Sequence, residues 1–400
     1  MRTYLVNGKI IYPDGIAAGF VRVEDGRIAE IGPGMPAAAE GRMYDLEGRY
    51  LSLGFVEMHA HGAGGADFMD GTEEAIYTAA RMHLSHGTTT LYPTALSSSG
   101  EELKGLMDTF RAVREKMQNG PELPGLHLEG PYLNSAQKGA MNEAYIRNPV
   151  SGEYEELLEY GRGYIARWTL APELPGAMEF VRALRRERIL PSMGHSNAEY
   201  IQVVWAFRNG IRHVTHLYSA MSGMERRGGF RFPGLLESAF CIRDLTVEII
   251  ADGCHLPVEM LRLVYKAKGA DQTALVCDSM RCAGQNVRES FLGSRQSGIP
   301  VIIEDGVAKL ADRSAFAGSI ATDDRMVQVM YKEAGIPLED CIKMMTLTPA
   351  RIMGCSDWVG SIAPGKDANL VCFDEDIQIA GVMFKGKVVC GTMGRRMDEG

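Results

Sequence analysis

The stretch LSLGFVEMHAHG (residues 51–62) joins a short apolar run to two histidines, His59 and His61. Side chains alternate in direction along a strand, so two histidines separated by one residue point to the same side and can reach one metal ion. A pair of ordinary turn histidines is the alternative. The glycine-rich GAGGAD (residues 62–67) that follows favours the end of a strand, and therefore a metal-binding pair.

An apolar run that ends in a potential metal ligand recurs four times along the chain. The runs LPGLHLEGP, ILPSMGHSN, HVTHLYSAM and TALVCDSM carry Glu129, His195, His216 and Asp278. In a β/α barrel the C-terminal ends of the strands converge on one face, where residues distant in sequence form one site. Histidine and carboxylate ligands are typical of zinc or a similar divalent ion. The pattern predicts a metal-dependent hydrolase, although Glu129 taken alone could instead cap the next turn.

Residues 54–356 alternate between strand and helix patterns, which predicts the α/β class and a (β/α)8 TIM barrel. Eight strands are expected to end near His59, Thr94, Glu129, Pro172, Gly194, His216, Asp252 and Asp278. Helices are expected over residues 73–86, 101–117, 153–163, 176–187, 198–209, 257–268, 322–334 and 348–354. A strand-rich segment, residues 299–312, follows the eighth strand.

The two ends of the chain have a different pattern from its middle. Residues 1–53 contain short alternating runs separated by NG, DG and EG turns, and residues 357–400 contain more such runs. Runs broken by turns of this kind are typical of β-hairpins. We expect the two ends to pair into one small β-sandwich domain beside the barrel.

The composition of the 400 residues is that of an ordinary globular protein, with 46% hydrophobic and 23% charged residues. A net charge of −9 argues against a nucleic-acid partner, because such proteins are normally basic. The N-terminus has no signal-peptide pattern, and no segment approaches the roughly 20 apolar residues of a membrane span. The eight cysteines are scattered without a CxxC motif, which favours reduced thiols in a cytoplasmic protein.

Asp278 and His255 are the candidates for contact with the substrate. An aspartate beside a metal-activated water can accept its proton and pass it to a leaving amine. His255, in IIADGCHLP (residues 249–257), follows the seventh strand and should form a hydrogen bond to the substrate, with a capping histidine as the alternative. We interpret the remaining histidines as structural or solvated: His127, His213, His83 and His86.

An arginine-rich segment, MERRGGFRFPG (residues 224–234), follows the sixth strand and carries Arg226, Arg227 and Arg231. Guanidinium groups bind phosphate through pairs of parallel hydrogen bonds. On composition alone, a solvated loop without a ligand is the better interpretation of this segment.

Taken together, these motifs resemble those of the N-acetylglucosamine-6-phosphate deacetylases of the amidohydrolase superfamily, over nearly the whole chain. The matching blocks are GFVEMHAHG, LHLEGPYLN with QKGAMN after it, LAPE, GHSNA, THLYSAM, IIADGCH, VCDSM, AGS, LTPAR and GSIAPGKDANLV. LHLEGPYLN and GHSNA are specific to that family, whereas TPAR and PGKDANLV are shared across amidohydrolases.

The resemblance implies a (β/α)8 barrel flanked by a small β-sandwich built from both chain ends. It implies a divalent ion, zinc in the first instance, bound by Glu129, His195 and His216. A second ion is implied where the HxH pair is present, as it is here at His59 and His61.

The resemblance also assigns the substrate contacts. It implies Asp278 as the acid and base, and His255 as a contact to the sugar. The backbone at Ser219 and Ala220 would bind a 6-phosphate together with an arginine that matches Arg231. The arginine loop is longer here, so Arg227 or Arg226 could take that role instead. In the family this arginine comes from the neighbouring subunit, which implies a homodimer.

Several positions depart from the family pattern. Met141 stands where the family usually has a histidine that contacts the substrate, and position 219 carries Ser in place of the usual Asn. Arg281 is expected to add a charge near the pocket, and SIATDD (residues 319–324) replaces the usual STLTMD. The metal ligands and the base are retained, so the sequence determines the reaction type better than the substrate.

The sequence is therefore interpreted as a metal-dependent deacetylase of a phosphorylated amino sugar, N-acetylglucosamine 6-phosphate, which would yield glucosamine 6-phosphate and acetate. One alternative is the same machinery acting on a different N-acyl sugar or a cyclic amide, and Met141, Ser219 and Arg281 favour it. The other is a non-catalytic scaffold of the same fold. A scaffold would be expected to lose metal ligands or the aspartate, and none is lost.

Overall fold

A computed structural model describes residues 2–37 and 40–397, so Met1, Ala38, Ala39 and residues 398–400 of the predicted outer domain lie outside the described residues. The strands are β1 Arg2–Tyr12, β2 Gly15–Glu24, β3 Arg27–Pro33, β4 Arg42–Asp45, β5 Tyr50–Leu53, β6 Phe55–Ala60, β7 Gly62–Ala63, β8 Ala66–Asp67, β9 Thr88–Ala95, β10 Leu126–Glu129, β11 Ile165–Leu170, β12 Leu190–Met193, β13 His213–Val214, β14 Glu225–Arg227, β15 Phe230–Phe232, β16 Thr246–Ile250, β17 Thr273–Val276, β18 Glu289–Leu292, β19 Ile299–Glu304, β20 Val307–Leu310, β21 Leu370–Phe373, β22 Ile379–Phe384, β23 Lys387–Gly391 and β24 Arg395–Met397. The α-helices are α1 Glu73–Ser85, α2 Gly100–Lys116, α3 Ser151–Tyr160, α4 Ala177–Arg186, α5 Tyr200–Arg208, α6 Leu235–Cys241, α7 Val258–Lys268, α8 Asp323–Gln328, α9 Leu338–Met345 and α10 Leu347–Ile352.

Eight parallel strands form a nearly closed barrel in the order β6, β9, β10, β11, β12, β13, β16 and β17. Each of them ends within two residues of the position expected from the sequence, which confirms the predicted (β/α)8 barrel. The strand ends were predictable because each apolar run stops at a polar residue, a proline or a glycine that leads into a turn. The candidate metal ligands and Asp278 therefore lie at one end of the barrel.

The helices pack their apolar faces on the barrel. In α2, Leu103, Met107 and Phe110 are buried at helical spacing. Its first turn is closed by a capping box, in which the Ser99 hydroxyl accepts from the Glu102 backbone N–H at 3.2 Å and the Glu102 carboxylate accepts from the Ser99 backbone N–H at 3.2 Å. Such reciprocal bonds satisfy N–H groups that a helix leaves without partners at its start.

Two helices were missed by the sequence analysis. Helix α6 has only seven residues, too few to show a period. Helix α9 buries Leu338, Cys341, Ile342 and Met345, a spacing that would have predicted it. The helix expected over residues 322–334 is α8 followed by a π-helical turn, Val329–Glu333.

The chain ends pair in one nine-stranded mixed sheet, as predicted. Strand β5 from the N-terminal part pairs antiparallel with β21 from the C-terminal part, with Leu51 opposite Cys372. Strand β1 pairs with both β4 and β5, so the sheet branches around an apolar core of its own that includes Leu5 and Val21.

We propose that the boundary between this outer unit and the barrel unit falls at Gly54, between β5 and β6. A Cβ atom at Gly54 would lie 2.1 Å from Thr89 Oγ1, so only glycine lets the chain pass from the outer sheet into the barrel here.

The strand-rich segment after the eighth barrel strand forms an antiparallel sheet of β18, β19 and β20. Within residues 2–37 and 40–397, no helix is both long enough and apolar enough to cross a membrane.

Candidate active site

Six side chains at the C-terminal end of the barrel form two groups of three. The first group is His59, His61 and Asp278, and the second is Glu129, His195 and His216. Within each group the potential ligand atoms lie within 4.8 Å of one another, and all six residues are buried. The structure thus brings together every residue that the sequence proposed as a metal ligand, along with the proposed base.

Glu129 links the two groups. Its Oε1 atom lies 2.9 Å from His216 Nε2 and 3.2 Å from His195 Nε2. Its Oε2 atom lies 3.2 Å from His61 Nε2. Asp278 Oδ1 also lies 3.2 Å from His61 Nε2. One carboxylate therefore faces both groups, an arrangement that suits one ion or a pair of ions that share a ligand.

The donor set fits a divalent cation. Among the described residues, the buried atoms His59 Nε2 and Asp278 Oδ1 have no hydrogen-bond partner. A buried polar atom without a partner costs about 1–3 kcal/mol. Imidazole nitrogens and carboxylate oxygens are ligands that zinc and similar ions accept, so binding a cation would satisfy these atoms.

The electrostatics of the site favour positive charge. Burial disfavours a charged imidazole, yet the carboxylates of Asp278 and Glu129 raise the pKa of His59 to about 9. They likewise raise the pKa of His61 to about 10, again against the effect of burial. The pKa of Glu129 is lowered well below its usual value by its histidine neighbours, although burial opposes this. The same negative field attracts a metal cation.

Two buried residues behind the ligands, Glu248 and Arg167, were missed by the sequence analysis. Glu248 accepts a hydrogen bond from His59 Nδ1 at 2.7 Å, which fixes the ring and leaves Nε2 for the site. Arg167 donates to Glu248 at 2.6 Å, and His213 Nε2 lies 3.1 Å from the same carboxylate. A single charged residue within an apolar strand, as in TVEII and IARWTL, was the sequence signal available for Glu248 and Arg167.

The backbone is strained where the site residues leave their strands. His195, His216 and Asp278 adopt left-handed conformations, with φ of 47°, 28° and 46°. Residues other than glycine adopt positive φ rarely, and such strain clusters at functional sites. Here it turns each side chain from the strand end toward the common centre.

A cleft of about 380 Å³ opens over the two groups. Met141, Ser219, Ala220 and His255, all proposed from the sequence as substrate contacts, line it together with every metal-site residue except His59. The His255 ring donates from Nδ1 to Asp252 at 2.7 Å, which leaves Nε2 available to a substrate in the cleft.

The arginine-rich segment forms an exposed hairpin of β14 and β15 outside the cleft. In the antiparallel hairpin, Arg226 on β14 lies opposite Arg231 on β15. Arg227 forms an ion pair with Glu199 at 2.6 Å. None of the three arginines lines the cleft of its own chain, so within one chain the structure does not bring them to the metal-site residues.

Arg281 does not add a free charge to the cleft, contrary to the sequence expectation. Its buried guanidinium donates to Asp70 at 2.8 and 3.0 Å and lies 4.2 Å from the centre of the Phe291 ring. The sequence could not reveal Asp70 as its partner, because the two lie 211 positions apart. Arg281 therefore no longer argues for an altered substrate.

We expect Arg281→Ala to lower the free energy of unfolding by about 3–5 kcal/mol, because it leaves Asp70 buried without its partner. Arg295→Ala is the matched control: it faces the same carboxylate at 3.7 Å, but its side chain is 67% exposed. Exposed ion pairs contribute about 0–1 kcal/mol. Chemical denaturation of both variants measures the difference, and equal stabilities would contradict a structural role for Arg281.

The other histidines have structural partners, as interpreted from the sequence. His127 Nε2 lies 2.7 Å from Thr169 Oγ1 in the barrel interior, and burial together with Arg167 lowers its pKa well below the usual value. His83 Nδ1 lies 2.8 Å from Asp323, and His86 Nδ1 lies 3.0 Å from Asp324.

Comparison with known proteins agrees with this geometry. The sequence profile of the amidohydrolase family matches residues 50–389, and the chain belongs to that family.

Within the family, the chain is similar to sugar-phosphate deacetylases. It is 30% identical to the N-acetylglucosamine-6-phosphate deacetylase of Haemophilus influenzae, over 97% of this chain and 99% of that protein. It is 28% identical to an N-acetylgalactosamine-6-phosphate deacetylase of Escherichia coli O157:H7, over 92% of this chain and 94% of that protein. The crystal structure of the N-acetylglucosamine-6-phosphate deacetylase of Pasteurella multocida superposes with a TM-score of 0.89 at 28% identity, covering 97% of this chain and 99% of that one.

Proposed function

We propose that this protein hydrolyses the acetamide of N-acetylglucosamine 6-phosphate to give glucosamine 6-phosphate and acetate. The observation that carries the proposal is the arrangement of Glu129 between two groups of metal ligands, with Asp278 at the same cleft. Proteins similar over nearly the full chain are named as deacetylases of this sugar phosphate, which supports the choice of substrate.

We propose zinc as the ion, held by Glu129, His195 and His216, with a second ion at His59 and His61. A bound divalent ion polarises the acetyl carbonyl and lowers the pKa of water so that a nucleophile exists at neutral pH.

Asp278 is the residue that moves the proton. Burial opposes its ionisation, but His59 and His61 lower its pKa below the usual value, so the carboxylate is charged at neutral pH and can accept a proton. It takes the proton from the attacking water and returns it to the amine nitrogen as the C–N bond breaks.

The rest of the cleft orients the sugar. His255, held by Asp252, donates or accepts one hydrogen bond to the substrate through Nε2. The backbone at Ser219 and Ala220 lies at the cleft edge, where Tyr218 and Ala220 adopt positive φ of 81° and 48°. We assign the phosphate to this edge.

We further propose that a second copy of the chain supplies the arginine for the phosphate, in a homodimer. The hairpin and the adjoining helix α5 expose large apolar side chains: Phe230 is 75% exposed, Ile201 70% and Trp205 51%. Exposed apolar clusters of this kind are typical of protein interfaces. A partner seated on this surface would lie beside Arg231 and Arg227.

Arg231→Ala should raise KM for the phosphorylated sugar roughly 10-fold to 100-fold, since a hydrogen bond to a charged group contributes about 1.5–3 kcal/mol. Turnover of N-acetylglucosamine without phosphate should change little. Steady-state kinetics with the phosphorylated and the unphosphorylated sugar measures this difference. Arg226→Ala and Arg227→Ala, assayed in parallel, show which of the three arginines binds the phosphate.

The subunit that donates the arginine can be identified by mixing variants. If the arginine acts across a dimer, hybrids of Arg231→Ala with Asp278→Asn contain one intact site and regain part of the lost activity. If Arg231→Ala, Arg226→Ala and Arg227→Ala each leave KM for the phosphorylated sugar unchanged, the phosphate assignment is contradicted.

A different N-acyl sugar or a cyclic amide remains the second candidate substrate, because Met141 presents an apolar side chain to the cleft. Acetate release from N-acetylglucosamine 6-phosphate, its galactosamine epimer and the unphosphorylated sugars separates the candidates. The proposal expects the highest kcat/KM for N-acetylglucosamine 6-phosphate. Equal use of phosphorylated and unphosphorylated sugars would favour the second candidate.

We place the protein in the cytoplasm. All eight cysteines are free thiols in the structure, which suits a reducing compartment.

A further inference from the structure

The barrel has a seam between its first and last strands. Strands β6 and β17 stand at the two ends of the eight-stranded order, and among the described residues no β-ladder joins them. His59 and His61 lie on one side of the seam, whereas Asp278 follows the strand on the other. The first group of ligands is therefore assembled across the junction of the described barrel strands that no β-ladder closes.

The side-chain carboxyl group of one buried residue, Glu57, spans this seam. Glu57 Oε1 accepts the His59 backbone N–H at 2.7 Å, and Glu57 Oε2 accepts the Cys277 backbone N–H at 2.8 Å. The first bond fixes the backbone of a ligand, and the second fixes the residue immediately before Asp278. Glu57 is fully buried, so both bonds are shielded from water.

Ser279 adds a second connection above Glu57. Its hydroxyl donates to the Gly62 carbonyl across the seam at 2.7 Å, so it can only accept from His83 Nε2, which lies 3.2 Å away. The His83 ring is fixed in turn by Asp323 at 2.8 Å. Three backbone bonds also cross the seam: the Asp278 N–H donates to the His59 carbonyl at 3.0 Å, and the N–H groups of His61 and Gly62 donate to the Ser279 carbonyl at 2.8 and 3.1 Å.

We propose that Glu57 is a positioning residue that holds His59, His61 and Asp278 together as one ligand group across the barrel seam. The other group comes from β10 and the ends of β12 and β13, which lie within the paired part of the sheet and do not depend on Glu57. The proposal rests on the metal sites of the proposed function, but not on the identity of its substrate.

Glu57→Gln tests the proposal with divalent ion content as the measurement. Glutamine has one acceptor oxygen, so it can keep only one of the two backbone bonds. With zinc supplied to the full-length protein and then withdrawn by graded chelator, we expect two bound ions in the wild type. In the variant one of them should bind at least about tenfold more weakly, and the other should be unchanged.

A second substitution identifies the ion that is retained. Adding His195→Asn to Glu57→Gln should remove it, because His195 belongs to the group that does not cross the seam. Lys268→Met is the control for a general loss of stability: Lys268 is buried at the end of α7 and donates to three carbonyls, far from the cleft. Both ions should bind to this variant as in the wild type.

Equal weakening of both ions in Glu57→Gln, or wild-type affinity for both, would overturn the proposal. A wild type that takes only one ion at saturating zinc would also overturn it. If Glu57→Gln does not fold, Ser279→Ala decides by the same criterion, since it removes the second side-chain bond across the seam. Two-ion binding without acetate release would count against the proposed substrate alone.

Discussion

Glu129→Gln should lose its bound metal and, with it, measurable deacetylase activity. The substitution removes the negative charge that faces both ligand groups, at 2.9 Å from His216 and 3.2 Å from His61. Loss of an outer partner of a metal ligand already costs about 10–100-fold in metal affinity. A carboxylate in contact with both groups should therefore cost more than about 100-fold. Metal content and acetate release are both measured, in the purified variant and in wild type dialysed against chelator.

Two further variants show whether the loss is local. His195→Asn should weaken metal binding only at the group that contains Glu129 and His216. Glu122→Gln is the control, because Glu122 pairs with Lys385 at 2.5 Å, away from the cleft, and should retain full metal content. Wild-type metal content in both Glu129→Gln and His195→Asn would show that the ligand assignment is wrong, and full activity in metal-free protein would rule out the mechanism.

Asp278→Asn should lower kcat by about 10²–10⁴-fold, the usual contribution of a general acid and base. Asparagine keeps the size of the side chain but cannot accept a proton from water. KM should change far less, because Asp278 is not assigned to the sugar or the phosphate. The assay is run at saturating zinc with bound metal measured in parallel, since Asp278 also faces His61 at 3.2 Å.

A variant with full metal content and kcat within a few-fold of wild type would remove Asp278 from the mechanism. A loss of activity that tracks a loss of metal would instead make Asp278 a ligand only. The matched control is Asp252→Asn, which loosens His255 and should act mainly on KM.

The barrel and its ligand set were predictable because they are local features of the sequence. Each strand end is marked by an apolar run that stops at a polar residue, a proline or a glycine, and strand alternation places His59 and His61 on one side. The pairing of the two chain ends followed from turn motifs and alternating runs. These signals need only a few neighbouring residues.

The supports of the site were not predictable, because they join residues far apart in the chain. Glu248 meets His59 across 189 positions, and Glu57 meets Cys277 across 220. Arg281 was misjudged for the same reason, since Asp70 neutralises it within the fold. The strained backbone at His195 and Asp278 likewise depends on packing around the cleft, to which the sequence gives no local signal.

The most direct test of the proposed function is the product ratio of the zinc-loaded protein with N-acetylglucosamine 6-phosphate. The account predicts acetate and free glucosamine 6-phosphate in equal amounts, with release stopped by chelator and restored by zinc. A protein that holds its zinc at the cleft yet releases neither product from this sugar would contradict it.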